Sequence, residues 1–277
     1  VGSDALLSFA AADWADGGDV LLKGEINLAY RLQSLFTAAE LAGCAAQYPE
    51  KPEIFYPSVG LFIARDTRFQ LAVKAGDNGD SHNHNDTGSV TLYKDGKPFL
   101  IDVGVGTYTA KTFSPRRYEI WTMQSAFHNL PSFGGVMQQD GEVFAARDVE
   151  VDLADDVAAI SMDIAGAYPP EACVRSYRRT VRMVKGHHIE IRDLHDGDRQ
   201  AELSLMFAAE PQWRDGRIVL AGIGALAVEG AGTPVIEAIE IDDARLLGSW
   251  PARIYRVLVP FAGRELVIRT VEEQGEA

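Results

Sequence analysis

Two histidines in the segment GDSHNHND are the residues of this 277-residue chain that point most directly to chemistry. On an extended segment His82 and His84 point to the same face, because side chains alternate along a strand. Two imidazoles on one face form a metal-ligand pair or a proton-transfer pair. The alternative for two histidines in a loop is a solvated, hydrogen-bonded pair without a metal.

A carboxylate and a third histidine extend this pattern. Asp102 stands in the apolar run FLIDVG, where a carboxylate is costly unless it is paired, hydrogen-bonded or bound to a metal. A hairpin that turns at Asp95-Gly96 brings Asp102 back beside His84. His128, in SAFHNLPS, completes a set of two histidines and one carboxylate with one open position, a composition that zinc accepts.

His187 and His188 favour an ordinary structural role. His187 and His188 follow Lys185-Gly186, which is typical of a hairpin tip on the surface. No acidic residue lies near them at the spacing of a metal ligand, and the next histidine, His195, is distant in the sequence. We therefore expect no metal site there.

Composition excludes several classes of function. The chain has 26 Lys and Arg against 40 Asp and Glu, a formal charge of -14, which disfavours nucleic acids and anionic membranes as partners. An acidic ligand would have to be bound by a few local cations. No apolar run is long enough for a membrane span, and Cys44 and Cys173 indicate neither a disulfide framework nor a thiolate zinc site.

The elements that position these residues are mostly strands. Apolar residues at three- and four-residue steps predict one helix between Gly24 and Gly43, and ALLSFAAADW predicts a shorter one from Leu6 to Trp14. The segment from Ala42 to Pro57 is typical of a linker. After it the sequence alternates with a period of two in these runs: VGLFIAR, RFQLAVK, SVTLY, PFLIDV, RSYRRTVRMV, HIEIRDL, AELSLMF, VIEAIEI, RIYRVLV and ELVIRT.

Short connections between the runs indicate antiparallel pairing. No helical pattern recurs after residue 45, and parallel strands need long crossovers. The sequence therefore predicts an all-β fold, a large antiparallel β-sandwich of stacked sheets with a helical N-terminal segment at residues 1–50 and the sandwich at 51–277. The predicted hairpin turns are Lys94-Asp95-Gly96-Lys97, Gln139-Asp140-Gly141-Glu142, Lys185-Gly186, Asp215-Gly216 and Ala262-Gly263.

The segment from about Tyr56 to Met137 resembles the C-terminal domain of the heparinase II/III family of polysaccharide lyases. Three stretches carry the resemblance: YPSVGLFIARD, SHNHNDTGSVTLYKDGKPFLIDVGVGTYT and SAFHNLPSFGG. The resemblance implies a sandwich of stacked antiparallel sheets that follows a large (α/α) toroid, with a uronate-binding cleft between them. It also implies cleavage of an acidic polysaccharide such as a glycosaminoglycan or alginate by β-elimination.

The resemblance also implies roles for single residues. His82 resembles the histidine that faces the substrate, and His84, Asp102 and His128 resemble the zinc ligands. Abstraction of the C5 proton of a uronate requires a neutralised carboxylate, a base and an acid. In such lyases a tyrosine usually acts together with the histidine, and Gly104 and Gly106 permit a tight turn that places Tyr108. The further candidates are Tyr108 and Tyr118 as catalytic tyrosines, and Asn83, Arg116 and Arg117 as substrate-binding residues.

The chain departs from the family in size. The toroid needs several hundred residues, whereas about fifty precede the sandwich here, so we expect this chain to be a fragment or a protein that takes its helices from another subunit. A toroid domain or a homo-oligomer partner is therefore an expected partner beside the polysaccharide. A periplasmic or secreted location is implied by the family alone.

Two other functions stay open. A cupin-like metal enzyme also uses H-x-H on a β scaffold, but Asn85, Asp86 and Thr87 stand where a glutamate is expected. A non-catalytic carbohydrate-binding sandwich is the second, in which Tyr108, Tyr118 and Trp121 stack on sugar faces.

Overall fold

The computed structural model describes residue 8 and residues 10–12, 27–45 and 52–272. The chain divides into two compact units, Val1–Lys51 and Pro52–Ala277. In the first unit, helix α1 (Leu28–Gly43) begins at Asn27, whose side chain accepts a hydrogen bond from the amide of Ala29. The predicted helix from Leu6 to Trp14 falls mostly outside the described residues. None of the described helices is long and apolar enough to cross a membrane.

The second unit is built from strands. Between residues 52 and 272 the helical turns are all short 3-10 helices. The strands are β1 (Glu53–Tyr56), β2 (Leu61–Arg65), β3 (Phe69–Lys74), β4 (Asp77–Asn78), β5 (Val90–Lys94), β6 (Lys97–Leu100), β7 (Pro131–Phe133), β8 (Gly141–Ala145), β9 (Arg147–Leu153), β10 (Val157–Asp163), β11 (Val174–Val184), β12 (His188–Gly197), β13 (Ala201–Phe207), β14 (Pro211–Arg214), β15 (Arg217–Leu220), β16 (Gly224–Glu229), β17 (Val235–Glu240), β18 (Arg253–Pro260) and β19 (Glu265–Val271).

These strands form four antiparallel sheets. A five-stranded sheet has the order β1-β2-β3-β5-β6, and an eight-stranded sheet has the order β14-β15-β16-β19-β12-β11-β10-β9. A four-stranded sheet (β17-β18-β13-β7) and the pair β4-β8 complete the unit. The prediction of a large antiparallel all-β sandwich is confirmed, and all ten predicted runs contain strands.

Three of the five predicted hairpins are present: β5–β6, β11–β12 and β14–β15. At the first turn both Asp95 and Gly96 have positive φ, which matches the right-handed twist of the flanking strands.

The other two hairpin predictions are wrong. Gly141 begins β8, but β8 pairs with β4, and β7 pairs with β13. Ala262-Gly263 joins β18 to β19, which lie in different sheets. Both segments carry hairpin residues, yet the strand that each one leads into hydrogen-bonds elsewhere. The predicted linker from Ala42 to Pro57 is also partly wrong, since it contains the end of α1 and all of β1.

The core of the sandwich is shared by three sheets. Strands of the five-stranded, eight-stranded and four-stranded sheets contribute buried side chains to one large cluster, for example Phe62, Ile191 and Val257. A second, smaller cluster contains Ile101, Val103 and Leu246 and lies at the end of β6. Burial of these apolar faces is the main source of stability for the unit.

Candidate functional site

The loop between β4 and β5, residues 79–89, carries the paired histidines and is tied to its surroundings by backbone hydrogen bonds. The amide of Gly88 donates to Lys74 O at 2.8 Å, and the amide of Asn85 donates to Met123 O at 3.0 Å. The Lys74 ammonium pairs with Asp86 and donates to Asn83 Oδ1. The loop is irregular in secondary structure but fixed in position.

A buried glutamine clamps the same loop. Gln138 Nε2 donates to Thr87 O at 2.7 Å, and Gln138 Oε1 accepts from the Thr87 amide at 3.1 Å. Asn78 donates to Gln138 Oε1 and accepts from the Thr87 hydroxyl. Buried polar groups need such partners, and here the partners hold the backbone three residues after His84. Gln138 was not predicted from the sequence, because nothing in the sequence shows what it contacts.

Asp102 follows β6 at the edge of the smaller core. Its neighbours Ile101 and Val103 are buried, so in this extended segment the carboxylate points to the opposite side. Asp102 Oδ1 accepts a hydrogen bond from the amide of Gly104 at 2.8 Å, which leaves Oδ2 for the histidines. The prediction that the hairpin returns Asp102 to the neighbourhood of His84 agrees with this placement.

His128 is completely buried, and its neighbour Asn129 explains how it is held. Asn129 Nδ2 donates to Val90 O and Ile101 O, and its Oδ1 accepts from the amide of Met206. One side chain therefore joins β5, the segment after β6 and β13 directly beside His128. Asn129 was also missed from the sequence, where only its position next to His128 distinguishes it.

His84, Asp102 and His128 form one cluster. Among the described residues these three offer ligand atoms that all lie within 4.8 Å of one another. The rings of His84 and His128 are 5.3 Å apart, and His128 Nδ1 lies 3.3 Å from Asp102 Oδ2. Neither ring nitrogen of His128 makes a hydrogen bond of normal geometry to a described residue. Unpartnered buried nitrogens beside a carboxylate fit a zinc ion, which takes such a donor set.

The electrostatics of His84 and Asp102 favour the forms that bind a metal. Burial, followed by the neighbouring His128, lowers the pKa of His84 to about 4, so its imidazole is neutral at pH 7. Burial alone raises the pKa of Asp102, but His128 and the Gly104 amide hold it well below its usual range, so Asp102 is ionised. Burial lowers the pKa of His128, but the Asp102 carboxylate outweighs burial and raises it, which favours the protonated ring. A cation bound beside Asp102 would take the place of that proton.

His82 is not part of this cluster and has other ring partners. Its φ is +61°, a left-handed conformation that is uncommon outside glycine. The expectation that His82 and His84 share one face of an extended segment is therefore wrong, because alternation does not hold through a left-handed residue. The His82 ring instead stacks on Tyr108 at 6.3 Å between centroids, with an angle of 18° between the planes, and meets the edge of Phe113 at 6.2 Å.

Tyr108 lies at the end of a segment, residues 103–108, that packs against the loop after β17. Gly104 has a φ of +76°, which an L side chain rarely adopts, and a Cβ on Gly106 would lie 3.2 Å from Asp243 Oδ2. The indole of Trp250 donates to Val103 O at 2.9 Å. Tyr108 is 41% exposed, so its ring is available to a ligand as well as to His82.

The remaining predicted site residues have other partners. Tyr118 lines a separate cavity of about 120 Å³ with Asn85 and Gln138, and it makes no ring contact with His82 or Tyr108 within the described chain. Arg116 is paired with Glu119 at 2.7 Å. Arg117 donates to the backbone oxygens of Asn83 and Thr112, which supports the histidine loop directly.

One further candidate is buried and another is half-buried. Asn83 is 6% exposed and accepts from the Lys74 ammonium. Trp121 is half-buried against the smaller core and meets the ring of Phe127, so it is not the open stacking surface that the carbohydrate-binding alternative needs.

His187 and His188 lie where expected. His187 and His188 lie at the β11–β12 turn, and His195 stacks on Phe133 within the core.

Comparison with known proteins supplies the family. The profile described as heparinase II/III-like, C-terminal, matches residues 49–269. The chain belongs to the heparinase II/III family. The matched region covers the described sandwich, residues 52–272, except residues 270–272 at its end. No curated protein matches the sequence.

Solved structures share the fold of this heparinase II/III-like chain. A heparinase III superposes with a TM-score of 0.63 at 18% identity, over 90% of this chain and 41% of the other. A heparan sulfate lyase HepC mutant from Pedobacter heparinus gives 0.63 at 15% identity, over 99% and 43%. A further heparinase III gives 0.61 at 16% identity, over 90% and 42%. The chain thus spans about two fifths of the length of these structures.

Proposed function

We propose that this chain is the zinc-bearing β-sandwich part of a polysaccharide lyase that acts on an acidic, uronate-containing polysaccharide. The observation that carries the proposal is the division of the paired histidines: His84 joins a partly buried His/Asp/His cluster, and His82 joins an exposed aromatic pair. Family membership and the fold shared with heparinase III and a heparan sulfate lyase support it.

The proposed zinc site consists of His84, Asp102 and His128. These residues come from the loop before β5, the segment after β6 and the turn before β7. A zinc ion bound there would supply a cross-link between the three segments. The chain's own residues then hold His82: the Lys74 and Arg117 hydrogen bonds fix Asn83, the next residue, and Gln138 fixes the loop further along at Thr87.

The proposed chemistry is β-elimination. A base removes the C5 proton of a uronate, the C5–H electrons form the C4–C5 double bond, and the C4–O bond breaks as the leaving oxygen takes a proton. His82 is the group in reach of solvent that either neutralises the uronate carboxylate or accepts the proton. Tyr108, beside it, is the candidate for proton transfer to or from the sugar.

Metal content per chain tests the proposal, and it does so without requiring the rest of the enzyme. We expect one zinc per chain in the wild type and in His82→Ala, and loss of zinc in His84→Ala and in Asp102→Ala. His187→Ala, at an exposed hairpin turn, is the matched control and keeps the metal. Loss of zinc in His82→Ala would instead favour a cupin-like pair. Absence of zinc from the wild type would favour the non-catalytic binding sandwich.

A further inference from the structure

Arg245 extends the exposed aromatic group of His82 and Tyr108. It is an exposed residue directly before the 3-10 helix Leu246–Gly248, and its guanidinium carbon lies 5.0 Å from the centroid of the Tyr108 ring. A guanidinium on an aromatic face is held by the attraction between the cation and the ring. Arg245, Tyr108 and His82 therefore form one continuous surface, which we call the Tyr108 platform.

One carboxylate fixes the two sides of this platform relative to each other. Asp243 Oδ1 accepts a hydrogen bond from the Arg245 amide at 2.9 Å, and Oδ2 accepts from the Thr107 amide at 2.8 Å. Thr107 directly precedes Tyr108. Because Asp243 uses its oxygens on backbone amides, it positions Arg245 without neutralising the guanidinium in a salt bridge.

The neighbouring cations are already occupied. Lys111 and Arg116 both pair with Glu119, at 2.9 Å and 2.7 Å. Arg117 donates to backbone oxygens. Among the residues that the structure describes, the Arg245 guanidinium has no carboxylate partner and contacts the Tyr108 ring. It is thus the cation beside His82 that stays available to a ligand.

An available guanidinium matters in this chain because its formal charge is -14. The general field repels an acidic ligand, so binding depends on local positive groups. A guanidinium has parallel donors that match a carboxylate or a sulfate, and an aromatic ring beside it offers an apolar surface to a sugar. We propose that Arg245 binds the acidic group of a sugar that lies against Tyr108 and His82, and that it selects acidic over neutral sugars. This inference rests on the proposed function.

Calorimetric titration of the full 277-residue chain tests the inference. The probes are a heparin-derived hexasaccharide, the same hexasaccharide after desulfation, and a neutral chitin-derived hexasaccharide. Arg245→Met keeps the apolar stem but removes the charge, and Arg245→Lys keeps the charge but removes the paired donors. Arg214→Met, on the edge strand β14, is the control that makes the same change in net charge.

We expect Arg245→Met to weaken binding of an acidic hexasaccharide at least tenfold. The affinity of Arg245→Lys should lie between those of the wild type and Arg245→Met, and that of Arg214→Met should stay within about twofold of the wild type. A loss on both acidic probes assigns the contact to the carboxylate, and a loss on the sulfated probe alone assigns it to sulfate. If Arg245→Met binds both acidic probes like the wild type, the role of Arg245 is wrong and the proposed function stands. If the wild type prefers no acidic probe over the neutral one, the proposed function fails as well.

Discussion

Replacement of Arg179 by methionine is the most direct test of how the fold holds the candidate site. Arg179 is 1% exposed and lies on β11. Its Nε and one terminal nitrogen donate to Asp193 at 2.8 Å and 2.7 Å. The other terminal nitrogen donates to the backbone oxygens of Gly88 and Asn129, at 2.8 Å and 2.7 Å. One buried cation therefore holds the end of the histidine loop and the residue after His128.

The expected loss of stability is large. Among the described residues, Arg179→Met leaves the Asp193 carboxylate, also 1% exposed, with only the Tyr177 hydroxyl as a hydrogen-bonding partner. It also removes the Arg179 donor from two backbone oxygens, those of Gly88 and Asn129. Removal of one partner of a buried ion pair costs about 3–5 kcal/mol. Arg178 is the matched control, since it is the next residue on the strand but pairs with Glu150 on the exposed face. Arg178→Met should cost at most about 1 kcal/mol.

Urea unfolding at pH 7, followed by tryptophan fluorescence, gives the free energy of unfolding for each variant. Metal content measured on the folded Arg179→Met chain then shows whether the cluster of His84, Asp102 and His128 keeps its affinity, which we expect to fall. The reasoning is refuted if Arg179→Met is as stable as Arg178→Met, because the buried pair would then contribute nothing beyond a surface pair.

Three further predictions concern the same region. Gln138→Leu should cost about 1–3 kcal/mol of stability, because it removes the Gln138 hydrogen bonds to the Thr87 backbone. Gln139→Leu, at an exposed neighbour, should change stability by less than about 0.5 kcal/mol. Equal effects of the two substitutions in urea unfolding would contradict the role of Gln138 in holding the loop. Gly60→Ala should destabilise the chain by about 2–5 kcal/mol, because Gly60 has a φ of +59° and an added Cβ would lie 2.3 Å from the Gly76 nitrogen. Gly96→Ala, with φ +74° and open space around it, should cost only the backbone strain of about 1–2 kcal/mol. Equal thermal stabilities of the two variants would be evidence against a steric clash at Gly60. In the metal-free chain the His84 ring should titrate near pH 4, so protons compete with zinc at His84 only as the pH falls toward 4; an NMR midpoint near the ordinary value of about 6.5 would show that burial does not act as described.

Much of the sandwich was predictable because strands with one buried face alternate. The run RSYRRTVRMV shows this well: every second residue from Tyr177 to Met183 is buried, and the residues between them are half-buried or exposed. The same alternation places Arg179 on the inward face, which is the signal that would have found it. The hairpin predictions at Gln139–Glu142 and Ala262-Gly263 failed because turn residues show where a strand ends, but not which strand it will join.

The candidate site shows the same division. Residue chemistry and spacing are enough to group His84, Asp102 and His128, since a carboxylate in an apolar run needs a partner. The separation of His82 from His84 was not predictable from H-x-H, because it depends on one left-handed residue at His82 that the loop contacts impose. Arg116 and Tyr118 were predicted from residue type and the family resemblance; in the structure Arg116 pairs with Glu119, and Tyr118 lines a separate cavity.

Periodicity and residue types in a fixed order are properties of the chain alone, and they are sufficient for the class of fold, the family resemblance and the set of residues able to bind a metal. The cations that remain available beside His82, and the buried groups that hold the histidine loop, depend instead on how the sheets pack. Asp243 and Thr107 are 136 positions apart, and Arg179 and Gly88 are 91 positions apart. Such contacts form when distant segments meet in the folded protein, and no local pattern in the chain records them.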